Sequence, residues 1–370
     1  MGMEEIQTTS TPSSMRILFL SRAYPPVVGG IENMNYELSV WLPKIAQVTT
    51  IANTRGKKAL PFFLPWVTLQ SLWLAPKHDV IVLGDGVLGM TGYIIKKIFP
   101  KKSVVCIVHG LDITFTSSIY QSLWVKRFLP ALNALIAVGN ETIRVGVRHG
   151  IPENRFVFIP NGVDTGKFLH EHSRNELAQF LGENIDGKHI LVTAGRLAKR
   201  KGVAWFIRNV LPLLHDNILY LVSGDGADKE NILTAIQESG MTHRVRMLGF
   251  MDAAARELLL NTCDIFIQPN IRVAGDMEGF GISVIEAISC ELPVIASRLE
   301  GLQDAIADQE SGILVEPENP EAFKNAIEKL LYNDSERIAF GKQARHYVVQ
   351  HFDWSVISKK YVEVLHNTLQ

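Results

Sequence analysis

From Met15 onward, short apolar runs rich in β-branched residues alternate with longer stretches in which apolar positions recur every three or four residues. The runs Arg16–Leu20, Val48–Ile51, Val80–Leu83, Val104–Val108 and Leu135–Val138 predict buried strands. Between them, Ile31–Leu42, Trp66–Leu74, Leu88–Phe99 and Tyr120–Leu132 predict helices. Such alternation predicts a parallel sheet covered by helices on both faces. The pattern pauses at IPNGVDTGKF, Ile159–Phe168, where Asn-Gly breaks regular structure, and then starts afresh. Ile190–Ala194, Leu219–Ser223, Val245–Leu248, Ile265–Gln268 and Val294–Ala296 predict a second set of strands. The chain therefore reads as α/β, with two doubly wound Rossmann-like domains of similar size and a boundary near Asp164–Ser173. Ligands of open parallel sheets lie beyond the carboxyl ends of the strands, so two such sheets facing each other would leave a cleft between those ends.

Composition changes this picture little. The apolar and charged fractions, 47% and 20%, are those of an ordinary globular protein. Charge is divided unevenly: 16 Lys and Arg stand against 10 Asp and Glu in the first 164 residues, and 21 against 28 beyond. A mildly basic first half suits an anionic partner such as a lipid headgroup. A pI near neutrality and the lack of long basic runs argue against nucleic acid. Cys106, Cys263 and Cys290 are far apart in apolar stretches, which fits a reducing cytoplasm rather than a disulfide framework. The first 14 residues lack the layout of a secretory signal and read as a disordered tail. The apolar stretch Leu60–Pro76 is short for a membrane span and is broken by Pro61, Pro65 and Pro76. Lys96, Lys97, Lys101 and Lys102 cluster nearby, and with Trp66 and Trp73 they suggest a patch for an anionic membrane surface; an ordinary core helix beside solvated lysines is the alternative.

Candidate chemistry concentrates in four places. The strongest is EGFGISVIE, where Glu278 precedes a helix that starts around Gly281 or Ile282, and Glu286 lies about one turn inside it. Small residues and the N–H groups from Gly279, Phe280, Gly281 and Ile282 offer an anion site that two phosphates would fill. Glu286 is then placed for a ribose diol and Glu278 for a sugar hydroxyl, against the alternative of a capped helix with a solvated glutamate. The second is GRLAKRKG, in which Arg196 and Lys201 follow a strand and are candidates to neutralise a diphosphate leaving group. Lys199 and Arg200 read as surface charge. The third is VVGGIE, where Gly29 and Gly30 open a helix and either approach phosphate or form a tight turn. The fourth is His109, followed by Gly110 at a strand end, which either contacts the transferred sugar or is a satisfied structural histidine. Backbone groups around Phe250 and Met251, after another strand end, are candidates for nucleobase contact. No Asp-x-Asp and no metal-spaced cluster occurs, so no metal site and no cofactor is expected, and cations with a helix end would stabilise the leaving group.

In this order, Gly29-Gly30, His109-Gly110, PNGVD at Pro160–Asp164, GRLxxxKG, SGDG at Ser223–Gly226, the Glu-x7-Glu of Glu278–Glu286, ELPVIAS and SGILVEP resemble the family 4 glycosyltransferases of GT-B fold. The resemblance covers nearly the whole chain from Met15. It implies a tail over 1–14, an acceptor domain over 15–168, a donor-nucleotide domain over 169–352 and a final helix over 353–370 that crosses back to the first domain. It further implies that Arg196 and Lys201 bind the diphosphate, Glu286 the ribose, and Glu278 and His109 the donor sugar. The reaction would be metal-independent and retaining: a hexose of mannose or glucose type moves from a GDP- or UDP-hexose to a glycan or lipid-linked acceptor of the cell envelope. Gly139 in AVGNE and Leu299-Glu300 in RLEGLQD depart from the family, which usually has serine and Gly-Gly there. RVAGDMEGFG is similar to the phosphatidylinositol mannosyltransferase branch. A cytoplasmic protein touching the inner membrane face is the expected setting. The rivals are a sugar-nucleotide epimerase of the same fold and a non-catalytic nucleotide-sugar binder.

Overall fold

The computed structural model describes residues 15–27 and 29–369, so the tail assigned to residues 1–14 lies outside the described residues. The chain forms two compact units. One comprises the chain up to Val138, Thr142–Ile159 and the final stretch from Ser355; the other comprises Gly139–Glu141 and Pro160–Trp354.

The first unit holds β1 (Arg16–Ser21), β2 (Gln47–Ala52), β3 (Val80–Leu83), β4 (Ser103–Val108), β5 (Ala134–Ala137) and β6 (Phe156–Phe158). They form one parallel sheet in the order β2-β1-β3-β4-β5-β6. β3, β4 and β5 are buried along their whole length, which explains why they read as continuous apolar runs. The three-residue β6 is too short to leave a pattern and was not anticipated. The last helix, Trp354–Asn367, is followed by Thr368, whose hydroxyl bonds that of Ser103 at 2.6 Å. The apolar helix Leu60–Leu74 begins six residues earlier than the Trp66–Leu74 expected from its prolines. Pro61 occupies the first turn, where a missing N–H costs nothing, and only Pro65 removes an internal hydrogen bond.

The second unit holds β7 (His189–Ala194), β8 (Ile218–Ser223), β9 (Val245–Gly249), β10 (Ile265–Gln268), β11 (Val294–Ser297) and β12 (Ile313–Val315), also parallel, in the order β12-β11-β10-β7-β8-β9. Period-two alternation sorts its side chains onto two cores, one on each face of the sheet. Ile190, Val192, Leu219 and Leu221 enter one; Leu191, Ile218, Tyr220 and Val222 enter the other. The strand order reverses direction between β7 and β10, the crevice where doubly wound sheets bind ligands. The loops leaving β7 and β10 are pressed together there. Gly202 has φ 67° and its missing Cβ would stand 1.8 Å from the Pro269 carbonyl oxygen.

Gly202→Ala is therefore expected to lower the urea midpoint far more than Gly182→Ala. Both residues have φ 67°, but nothing lies within 4 Å of the Gly182 Cβ position. The second change should cost about 1 kcal/mol for the left-handed conformation alone; the first must also separate two packed loops. Equal losses in chemical denaturation would contradict this packing.

Candidate active site

The site in the second unit is built from the β7 and β10 loops and the helix that follows. After β7, the chain passes Gly195 (φ 139°) into a tight 3-10 turn, Lys199–Lys201, which ends at Gly202. This turn carries Lys201 inward. Its Nζ lies 2.6 Å from Glu278 Oε2, and both side chains are about one-tenth exposed. After β10, Asn270 is almost fully buried and donates from Nδ2 to the same Glu278 oxygen at 3.2 Å, while its Oδ1 accepts from Gln268 Nε2 at 2.5 Å. Arg200, expected as surface charge, is instead mostly buried, with its guanidinium 3.6 Å from Asp276 and 3.7 Å from Glu278 Oε1. Lys199 alone of that pair is exposed. Burial pushes the Glu278 carboxyl up, but Lys201, Arg200 and the bonds from Lys201 and Asn270 outweigh it and hold it below the usual carboxylate range.

The backbone of Glu278 is fixed as well. Its N–H donates to Glu300 Oε2 at 2.6 Å, and its carbonyl accepts from Gly301 N at 3.2 Å. Beyond it, Gly279 and Phe280 lead to Gly281, the N-cap of helix Ile282–Ser289. Gly281 has φ 92°, and an added Cβ would meet Leu302 Cδ2 at 2.7 Å. The helix is anchored in the core by Val284, Ile285, Ala287 and Ile288, which fixes where its first-turn N–H groups point. Glu286 is carried inward on this helix and ion-pairs with Arg256, on helix Ala253–Thr262. Neither glutamate is a solvated surface residue, so that alternative is removed for both. Arg256 was missed because it lies thirty residues before Glu286, on a different helix with β10 between them. Only the rule that a buried carboxylate requires a partner could have prompted the search.

Arg196 lies at the end of β7, exposed, with no side-chain partner among the described residues. The bend after β9 places Gly249 in the left-handed region (φ 69°), and its carbonyl accepts from Gly224 N at 2.7 Å. There Phe250 is 72% exposed, while Met251 packs against the core.

The remaining candidates belong to the first unit. Gly29 caps helix Gly30–Trp41, and the Glu32 carboxylate folds over it, 2.1 Å from where a Gly29 Cβ would stand. Val28, in the same motif, lies outside the described residues. His109 follows β4 and is buried. Its N–H donates to Asp112 Oδ2 at 2.9 Å and its Nε2 is 3.4 Å from the Gly84 carbonyl. Burial lowers the pKa of His109 below the usual histidine value, with Asp85 pulling the other way. Asp85 is fully buried beside Arg22 Nε, at 2.9 Å, and burial pushes it up to about 6. Among the described residues no group of three or more His, Cys, Asp or Glu is disposed to hold a metal ion.

Two parallel six-stranded sheets, one of which holds buried carboxylates, paired cations and a helix N-terminus at its switch point, make the two-domain α/β architecture of the GT-B fold. Comparison with known proteins agrees. The profile of Glycosyltransferase Family 4 matches residues 40–167, and that of Glycosyl transferases group 1 matches residues 175–347. Taken together, the two matches support a group 1 glycosyltransferase of family 4 type, an enzyme that moves sugar from a nucleotide sugar. It is 25% identical to the GDP-mannose-dependent alpha-(1-6)-phosphatidylinositol monomannoside mannosyltransferase of Mycolicibacterium smegmatis, over 94% of this chain and 98% of that protein. It is 30% identical to the phosphatidyl-myo-inositol mannosyltransferase of Mycobacterium leprae over 56% of this chain and 52% of that one. Among solved structures, Anabaena HepE in complex with UDP and glucose superposes with a TM-score of 0.76 at 20% identity, covering 95% of this chain and 100% of that one.

Removing Arg256 would leave the Glu286 charge buried without its partner. Because Arg256 is itself one-third exposed, the expected cost of Arg256→Ala is on the order of 2 kcal/mol, less than for a fully buried pair. In a unit of this size that is a fall in melting temperature of roughly 4–8 °C. Differential scanning calorimetry checks it, and an unchanged melting temperature would show that the pair contributes nothing.

Proposed function

We propose that the protein is a retaining, metal-independent hexosyltransferase that moves mannose or glucose from a GDP- or UDP-hexose to a glycan or lipid-linked acceptor of the cell envelope. The observation that carries this reading is the Glu278 carboxylate, buried at the β7–β10 switch point and held by Lys201 and Asn270. A carboxylate held this way is ionised and cannot donate a proton, so it acts as a hydrogen-bond acceptor for a sugar hydroxyl. Lys201 and Arg196 serve the diphosphate, the first-turn N–H groups at Gly279, Phe280, Gly281 and Ile282 serve its oxygens, and Glu286 serves the ribose. The exposed Phe250 and its neighbour Met251 are assigned to the nucleobase.

In this mechanism the bond from the anomeric carbon to the leaving phosphate oxygen breaks as the acceptor oxygen attacks from the same face. The acceptor's proton passes to the leaving diphosphate. Charge developing on the diphosphate is met by Lys201, Arg196 and the helix end, with no cofactor and no metal. The donors in the names of the relatives, GDP-mannose and UDP with glucose, support both donor classes. An epimerase would convert the donor without an acceptor, and a binding protein would convert nothing.

The membrane-facing part of the reading is supported by helix Leu60–Leu74. Phe62, Trp66, Leu69 and Trp73 recur every three or four residues on one face and are 82%, 49%, 68% and 66% exposed. Lys57, Lys58 and Lys77 flank the face, with Lys77 stacked on Trp73. Of the lysine cluster first suspected, Lys96 and Lys102 are tied to backbone carbonyls at Pro100, Lys102 and His78, so the helix face itself is the better candidate surface. Among the described residues no helix is long and apolar enough to cross a membrane. Contact is therefore assigned as peripheral, at an anionic cytoplasmic leaflet, and the three free cysteines fit that compartment.

Two measurements test these assignments. In a thermal-shift panel of nucleotide sugars, one GDP- or UDP-hexose should raise the melting temperature with concentration in the presence of EDTA. With that donor and a competent acceptor, Glu278→Ala should lower turnover at least a hundredfold, and wild-type turnover in the variant would remove Glu278 from the mechanism. Separately, the protein should co-sediment with phosphatidylserine vesicles at low salt, and Leu69→Glu with Trp73→Glu should reduce that binding at least tenfold. No binding by the wild-type protein would sink the membrane contact.

A further inference from the structure

Among the described residues, Glu300 is the charged side chain that reaches the main chain of Glu278, and it stands at an unusual backbone position. Its φ is 49°, in the left-handed region that glycine occupies readily and that costs a side-chain-bearing residue about 1 kcal/mol. Gly301, next to it, packs so closely on the opposite loop that its Cβ would lie 2.4 Å from the Gly279 carbonyl oxygen. Together the two residues engage both polar groups of the Glu278 backbone. Glu300 Oε2 accepts the N–H at 2.6 Å, and the Gly301 N–H donates to the C=O at 3.2 Å. Lys201 and Asn270 hold the other end, the carboxylate.

We propose that Glu300 is a positioning residue for the transfer reaction, fixing the Glu278 main chain so that the Glu278 carboxylate is presented to the donor sugar. The proposal rests on the reading of Glu278 given above. A glycine in place of Glu300 would suit the backbone better, but it would leave the Glu278 N–H without this acceptor and the loop free to shift. Small displacements of a group that contacts the reacting sugar appear in the turnover number rather than in stability. The carboxylate is costly here, since burial pushes Glu300 above the usual carboxylate range and the Glu278 charge adds to that, against the favourable Glu278 N–H bond. A carboxylate retained on a left-handed backbone beside a second carboxylate is accounted for by the bond that it makes.

Steady-state kinetics of Glu300→Gly and Glu300→Gln test this, with melting temperature as the check on folding. Gln keeps an oxygen that accepts the Glu278 N–H; Gly relieves the backbone and removes the acceptor. The expected result for Glu300→Gly is a melting temperature equal to or above wild type, kcat lowered at least tenfold, and a donor KM within threefold. Glu300→Gln should keep kcat within threefold. Wild-type kcat in Glu300→Gly, a loss confined to KM, or an equal kcat loss in both variants would overturn the proposal. Glu278→Ala assayed in parallel separates the two levels. Wild-type turnover in that variant removes the role of Glu278 and the present proposal with it, whereas an inactive Glu278→Ala beside a fully active Glu300→Gly removes Glu300 alone.

Discussion

A carboxylate that is nine-tenths buried must be paired, and in this protein that requirement organises the second unit. Glu278 cannot sit behind the β10 loop as a bare charge, because its desolvation would cost several kcal/mol. It is tolerated because the β7 turn brings Lys201 to 2.6 Å and the β10 loop supplies Asn270 at 3.2 Å. Those partners require the two loops to touch, and they touch because Gly202 lets the turn lie on the Pro269 carbonyl. The chain therefore links a backbone constraint, a loop contact and an ion pair in sequence. Glu286, eight residues further on, shows the same rule, with Arg256 in place of the lysine.

The resulting site differs from a hydrolase's acid and base pair. Neither glutamate is placed to shuttle a proton: one is locked by a lysine and an asparagine, the other by an arginine. What remains without a side-chain partner among the described residues is Arg196, exposed beyond the carboxyl end of β7. A site with fixed acceptors and an uncommitted cation suits an anionic, hydroxyl-rich ligand, which is the chemical description of a nucleotide sugar.

Much of this was legible in the chain. The two sets of buried strands could be read because parallel strands covered on both faces are nearly pure apolar runs, as in VIVL of β3 and IFIQ of β10. Loop glycines and the Glu-x7-Glu spacing marked the site because such chemistry depends on local sequence. The missing parts are those that depend on tertiary contact. Strands of three residues, Phe156–Phe158 and Ile313–Val315, are too short for a period to appear. Arg200 looked like surface charge because its neighbours Asp276 and Glu278 are distant in sequence, and Arg256 was invisible for the same reason. The early start of helix Leu60–Leu74 was missed because proline was weighed as a breaker rather than as a first-turn residue.

The central claim, that Lys201 is the buried cation of a metal-free diphosphate site, is tested most directly by isothermal titration of UDP and GDP in EDTA. The comparison is between wild type, Glu278→Gln and Lys201→Met, each first checked for a cooperative thermal transition. Wild type should bind one of the two nucleotides without metal. Glu278→Gln, which releases Lys201 from its carboxylate, should bind at least as tightly, and Lys201→Met at least tenfold more weakly. A folded Lys201→Met that binds like wild type, or wild-type binding that vanishes with EDTA, would contradict the account.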